Sequence, residues 1–228
     1  MDFIANHLLT MILFLPAVTA LILVLVPARY TRVFRVVALA ASILSFILAI
    51  VVWARFDPNG GFQFEEQFVW YAALNSTFHV GIDGISLTMM LLTTLLTPLA
   101  FLASHSIKEK VKAYMILFLL LETGMLGVFL SLDLLIFFVF WEIGLVPMYF
   151  LINQWGGKNR NYASLKFMLY TMGGSLGLLL AIQLIGVMAG TFDLPRLFEI
   201  WPNLMTGETL FGLDRKSTRL NSSHVSES

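Results

Sequence analysis

Residues Ala113–Ile152 read AYMILFLLLETGMLGVFLSLDLLIFFVFWEIGLVPMYFLI, and the only charges in this stretch are Glu122, Asp133 and Glu142. Ser131-Leu132-Asp133 divides it into two apolar runs, Ala113–Ser131 and Leu134–Ile152. Each is close to the roughly 20 helical residues that cross a bilayer core. A soluble domain has no use for two such runs joined by a three-residue turn. The rest of the chain repeats the pattern.

Four more stretches of the same kind flank this pair: Leu8–Pro27, Val36–Ala54, Gly84–Ser104 and Phe167–Ala189. None of the four contains a charged residue. The composition agrees, with 58% apolar residues and 12% charged ones. A soluble chain carries about twice that share of charge. The fold expected is all-α, a polytopic transmembrane bundle of six spans. The first span lacks the basic flank of a cleaved signal and is read as a true span.

Charge alternates with the spans. Arg29, Arg32 and Arg35 lie between spans one and two. Lys108, Lys110 and Lys112 lie between three and four, and Lys158, Arg160 and Lys166 between five and six. The opposite loops carry Asp57, Glu65, Glu66, Asp83, Asp133, Asp193, Glu199 and Glu208. Basic loops stay in the cytoplasm, which puts the N-terminus outside.

Loop 55–83 holds short alternating apolar runs behind Pro58-Asn59-Gly60-Gly61. A small β-hairpin and an interfacial coil both fit it. After span six, Thr191 or Asp193 as cap and Pro195 in the first turn predict a short interfacial helix. From Leu213 the chain turns polar, and residues 213–228 are set aside as a tail of non-native character. The natural chain is expected to continue beyond this fragment.

Composition and motifs also exclude functions. There is no cysteine, so disulfide frameworks, Fe–S clusters and thiol chemistry are ruled out. The balanced charge argues against a nucleic-acid partner. His7, His79, His105 and His224 all lie outside the spans, which disfavours a membrane haem. No phosphate-cradling glycine motif is present, so direct NADH or ATP binding is not expected. No metal or other cofactor is expected in this chain.

The intramembrane acids carry the functional expectation. A charge at mid-bilayer costs on the order of 2.5–3.5 kcal/mol and marks function by default. Glu122 and Glu142 each lie ten residues from Leu132, about 15 Å from the turn and at matching depth. If both face the same way, they form one acidic layer. Pro147 removes the amide that would bond the Ile143 carbonyl. With Gly144 it is expected to loosen the helix beside Glu142 and open a hydratable niche. Glu142 is the leading candidate for a proton relay. Glu122 is a second, with a neutral structural acid as the alternative. Lys166, at the inner end of span six, is a third candidate, with simple snorkelling as the alternative. Tyr170, Thr171, Ser175 and Gln183 are candidate linings of a wet path, each also accounted for by packing. Gly173-x-x-x-Gly177 and Gly186-x-x-x-Gly190 offer small-residue faces for close helix contact.

The motifs together are specific. Gly81-Ile82-Asp83-Gly84-Ile85-Ser86-Leu87 opens span three, and Phe137-Phe138-Val139-Phe140-Trp141-Glu142 leads to Val146-Pro147-Met148-Tyr149-Phe150-Leu151-Ile152. Trp155-Gly156-Gly157 and Ala163-Ser164-Leu165-Lys166-Phe167 follow. Over residues 1–212 the chain resembles the antiporter-like subunit M family of bacterial NADH–quinone oxidoreductase, respiratory complex I.

The resemblance implies an antiporter-like fold built on inverted five-helix repeats. It implies a proton-translocating role in the membrane arm beside other complex I subunits, in the inner membrane of a bacterium. It also implies a non-redox subunit, with no cofactor and no catalytic chemistry of its own. The family's fifth-helix glutamate matches Glu142, and the lysine opening its sixth helix matches Lys166. The lysine partner on a seventh helix lies beyond this chain, so the fragment alone is expected to be inactive. A subunit of a multisubunit Na⁺/H⁺ antiporter or of a membrane-bound hydrogenase is the alternative.

Overall fold

The computed structural model describes residues 7–71, 76–206, 209–210 and 213–214. Six long helices form the body: α1 (Leu8–Leu25), α2 (Thr31–Arg55), α3 (Gly84–Ala103), α4 (Val111–Leu130), α5 (Leu134–Trp155) and α6 (Arg160–Ala189). All six are long and apolar enough to cross a membrane. A shorter helix α7 (Leu194–Thr206) follows, in the place expected after Pro195. Two-residue strands at Thr209–Leu210 and Leu213–Asp214 pair beyond it. Residues 215–228, most of the set-aside tail, lie outside the described residues.

Helix bounds differ from the hydropathy blocks mainly at polar ends. Span six begins at Arg160 rather than Phe167, and span five runs to Trp155 rather than Ile152. Hydropathy registers the apolar part of a helix, whereas backbone hydrogen bonding continues into the flanking polar turn.

Loop 55–83 contains the β-hairpin. Strands β1 (Gln63–Tyr71) and β2 (Ser76–Ile82) pair antiparallel. A register shift falls between Gln63 and Glu66, where Phe64 takes a left-handed φ of 54°. The bulge changes which acid faces inward, so Glu66 is buried and Glu65 is exposed.

Helices α1 to α4 pack as a four-helix group around two apolar clusters. One cluster sits toward the hairpin and joins Leu9, Ile12, Leu13, Ala49, Val80, Met90 and Leu126. The other sits toward the basic loops and joins Ala20, Leu23, Phe34, Ala38, Phe101, Met115 and Leu119. Helix α5 lies along α4, and α6 lies along α5.

Glycine sets the α4–α5 approach. A methyl placed on Gly124 would stand 2.8 Å from the Gly144 Cα, and one on Gly127 would overlap the Phe140 ring. Neither span-six small-residue pair packs another long helix here. Gly173 and Gly177 face open space, while Gly186 seats Phe192 and Gly190 ends the helix at φ +71°.

Basic side chains cap helix ends on the loop side. The Lys112 ammonium donates to the carbonyls of Val24 (2.8 Å) and Val26 (2.7 Å) at the end of α1. Arg35 donates to the carbonyls of His105 (2.8 Å) and Ile107 (2.5 Å). These are orphan carbonyls that a cation at a helix C-terminus satisfies.

Candidate functional site

Glu142 sits on α5 above α6. It shares a groove of about 220 Å³ with Phe138, Met172, Ser175 and Leu176. The residue is half-buried, and its Oε1 is buried with no hydrogen-bond partner among the described residues. The Ser175 hydroxyl beside it donates to the Thr171 carbonyl at 2.9 Å, so its lone pairs remain available. The groove therefore brings together one uncommitted carboxyl oxygen, one hydroxyl acceptor and apolar walls. Such a site takes up a proton or a hydrogen-bond donor. Of the candidate lining residues, Ser175 lines the groove with the acid.

Glu122 on α4 is 0% exposed, and neither carboxyl oxygen has a hydrogen-bond partner among the described residues. The two acids do not share a face. Gly124 and Gly144 meet at the α4–α5 contact. Each acid stands two residues before its glycine, about 200° around the helix. Both carboxyls therefore turn away from the helix contact between them. Glu122 enters the α1–α4 core, while Glu142 enters the α5–α6 groove.

Pro147 and Gly144 stand apart from the groove at Glu142. Pro147 is buried, and α5 is assigned as helix without interruption from Leu134 to Trp155. Gly144 serves the close contact with α4, and the niche is made by the packing of α6 on α5.

Lys166 also stands differently. It lies inside α6 rather than at its start, is exposed, and rests between two rings, 5.9 Å from Tyr162 and 5.7 Å from Tyr170. This is a cation–π arrangement at i±4 spacing. No ion pair joins it to Glu142 among the described residues.

At the hairpin end a polar cluster forms that the spacing of residues did not reveal. His79 is buried, with Nδ1 2.5 Å from Asp193 Oδ1 and Nε2 3.0 Å from Glu65 Oε2. The Asp133 carboxylate accepts from the amides of Leu135 (2.9 Å), Ile136 (3.2 Å) and Thr77 (3.1 Å), and from the Ser76 hydroxyl (3.2 Å). Glu66 accepts from the amides of Leu9 (2.9 Å) and Thr10 (3.1 Å). These acids cap α5 and α1 and tie the hairpin across the bundle. Asp133 had a readable signal, an acid just before an apolar run. The burial of Glu66 depends on the bulge and had none.

A protein named NADH-quinone oxidoreductase subunit M from Rhodobacter capsulatus is 43% identical over 200 residues, which is 85% of this chain and 38% of that protein. The chain belongs to the NADH-quinone oxidoreductase subunit M family. NADH-ubiquinone oxidoreductase chain 4 of Marchantia polymorpha is 41% identical over 80% of the chain, again covering 38% of that protein. The chain thus spans about two fifths of the length of these relatives. Residues 131–214 also match the family described as NADH:quinone oxidoreductase/Mrp antiporter, transmembrane. Among solved structures, Thermus thermophilus respiratory complex I with bound NADH matches at TM-score 0.73 and 29% identity, over 84% of this chain and 39% of that one. The Mrp complex from Dietzia matches at TM-score 0.70 and 20% identity, over 88% of this chain and 22% of that one. At that identity it shares the fold alone. The stretch matched by the family, 131–214, contains the Trp141-Glu142 and Val146-Pro147-Met148-Tyr149 motifs.

Proposed function

We propose that the full-length parent of this chain translocates protons as a membrane-arm subunit of an NADH–quinone oxidoreductase, with Glu142 as the relay. The observation that carries this is the half-buried Glu142 carboxyl, whose Oε1 meets no protein donor in the groove between α5 and α6. Family membership and the excess of basic residues on one side of the bundle support it further.

The mechanism is electrostatic. Desolvation disfavours a bare carboxylate, and a nearby positive group offsets that penalty. When such a group approaches, Glu142 stays ionised. When it withdraws or loses its charge, Glu142 takes a proton from the hydrated side. Ser175 offers a hydroxyl through which water reaches the acid. The positive group comes from another helix of the full-length parent or from a neighbouring subunit, because Lys166 faces its two tyrosines. Redox chemistry belongs to other subunits of the complex. The basic loops face the cytoplasm of a bacterial cell, and the N-terminus and hairpin face the outside.

The test is Glu142→Gln in the full-length parent within its complex. Quinone-dependent proton uptake into inverted membrane vesicles is expected to fall by about tenfold or more, the low end of what a proton-transfer group contributes. Wild-type pumping by the variant, with the complex intact, refutes the assignment.

A further inference from the structure

The α1–α4 core is interrupted between its two apolar clusters. On each helix the buried stripe runs from the cluster near the basic loops to the cluster near the hairpin, and polar or proline residues separate the two. On α1, Thr19 and Pro16 lie between Ala20 and Leu13; on α2, Ser42 and Ser45 lie between Ala38 and Ala49. On α3, Thr97 and Thr94 lie between Phe101 and Met90; on α4, Glu122 lies between Leu119 and Leu126. All of these residues are buried. These buried interruptions lie between the two clusters, on helices of which α1 packs on α2 and α4, α3 packs on α2 and α4, and α2 packs on α4, and so they form one internal polar layer.

The chemistry of that layer is one-sided. The Ser42 hydroxyl donates to the Leu39 carbonyl, Thr19 to Leu15, Thr94 to Met90 and Thr97 to Thr93, all between 2.8 and 2.9 Å. A hydroxyl whose hydrogen is committed to its own helix has only lone pairs left to offer. Pro16 and Pro98, both buried, supply no amide to the carbonyls of Ile12 and Thr94. Glu122 adds two carboxyl oxygens and Ser45 a hydroxyl, none of them with a partner among the described residues. The layer is rich in acceptors and poor in donors. Glu122 is its one titratable group, since Arg35, Lys112 and Tyr114 bond at the loop end of the bundle.

Buried acceptors that meet no donor are costly. Hard oxygen donors around one negative charge call for a hard cation of single charge. A divalent ion would leave a net charge in the core. We propose that Glu122, with Ser45 and the hydroxyls of α2 and α3, forms a binding site for one small monovalent cation of the Na⁺ class. The ion neutralises the carboxylate and holds α1 to α4 together. The site is separate from Glu142 and does not depend on the relay assigned there.

The experiment uses the full-length parent in its complex, purified in detergent. The thermal midpoint of this subunit is followed as choline chloride is replaced by NaCl or KCl at constant ionic strength. Na⁺ is expected to raise the midpoint saturably, and K⁺ to do so less. Because the ion needs the ionised carboxylate, acidification should raise the half-saturating Na⁺ concentration by about tenfold per pH unit once protonation competes. Glu122→Gln should abolish the Na⁺ response, Ser45→Ala should weaken Na⁺ about tenfold, and Glu142→Gln should leave the response intact. Should Glu122→Gln fail to fold, ²³Na line broadening on the wild type, reversed by Li⁺, replaces it. The proposal is overturned if Na⁺ acts no better than choline, or if Glu122→Gln keeps the response. It is also overturned if the midpoint follows pH but not Na⁺, since the carboxyl then holds only a proton.

Discussion

In Glu66→Ala the first turn of α1 loses the acceptor for two of its amides. Glu66 is 5% exposed, and its Oε1 accepts from Leu9 N–H at 2.9 Å and Thr10 N–H at 3.1 Å. Its Oε2 lies 3.4 Å from His7 Nδ1, on a ring that is 30% exposed at the side-chain level. Two effects compete, helix capping and the contact with His7. A buried amide left unpaired costs about 1–3 kcal/mol; Leu9 N–H is buried and Thr10 N–H part-buried, so the two together cost about 2–4 kcal/mol. The partly exposed, long histidine contact contributes at most about 1 kcal/mol. Glu66→Gln keeps a carbonyl oxygen able to accept from both amides and loses only the charge. Since charge-assisted bonds are roughly twice as strong as neutral ones, it should cost about half as much as the alanine. The assay is unfolding in mixed micelles, with SDS titrated into dodecyl maltoside and helix content followed by far-UV circular dichroism. If the two variants lose equal stability, capping is not what Glu66 does and the reasoning fails.

Two further predictions concern the helix contact and the third span. Gly127→Ala should destabilise the α4–α5 hairpin by about 1–3 kcal/mol through overlap with Phe140. Adding Phe140→Leu should restore much of that loss in the same unfolding assay; no restoration would show that the strain lies elsewhere. At the start of α3, burial pushes the Asp83 pKa up, but hydrogen bonds from the Ser86 amide and hydroxyl and the Ile85 amide outweigh it and hold the pKa below the ordinary 3.8. The folded value is therefore lower than the unfolded one, so the carboxylate stabilises the fold above pH 3.8 and loses that contribution as pH falls through the lowered value. Asp83→Asn should flatten this acid limb in an unfolding series across pH 2 to 5, measured against wild type; an unchanged limb would refute the capping role.

The spans, their number and the charge alternation were legible because each is local. An apolar run long enough to cross lipid must close its own backbone hydrogen bonds, so helix formation follows from the residues of that run alone. The acid caps at Asp83 and Asp133 were open to the same kind of reading. The equal spacing of Glu122 and Glu142, ten residues on either side of Leu132, was also legible; the Gly124–Gly144 contact, eight and twelve residues from it, was not.

Facing was decided by the tertiary structure. Gly124, Gly127 and Gly144 let α4 and α5 touch along one line, and that contact rotates Glu122 and Glu142 away from each other. A proline expected to loosen its helix lies buried within α5, and the niche beside Glu142 is lined from α5 and α6 without it. The bulge at Phe64 turns Glu66 rather than Glu65 into the core. Sequence fixes rise along a helix residue by residue; rotation about its axis is settled only when neighbouring helices compete for the same surface.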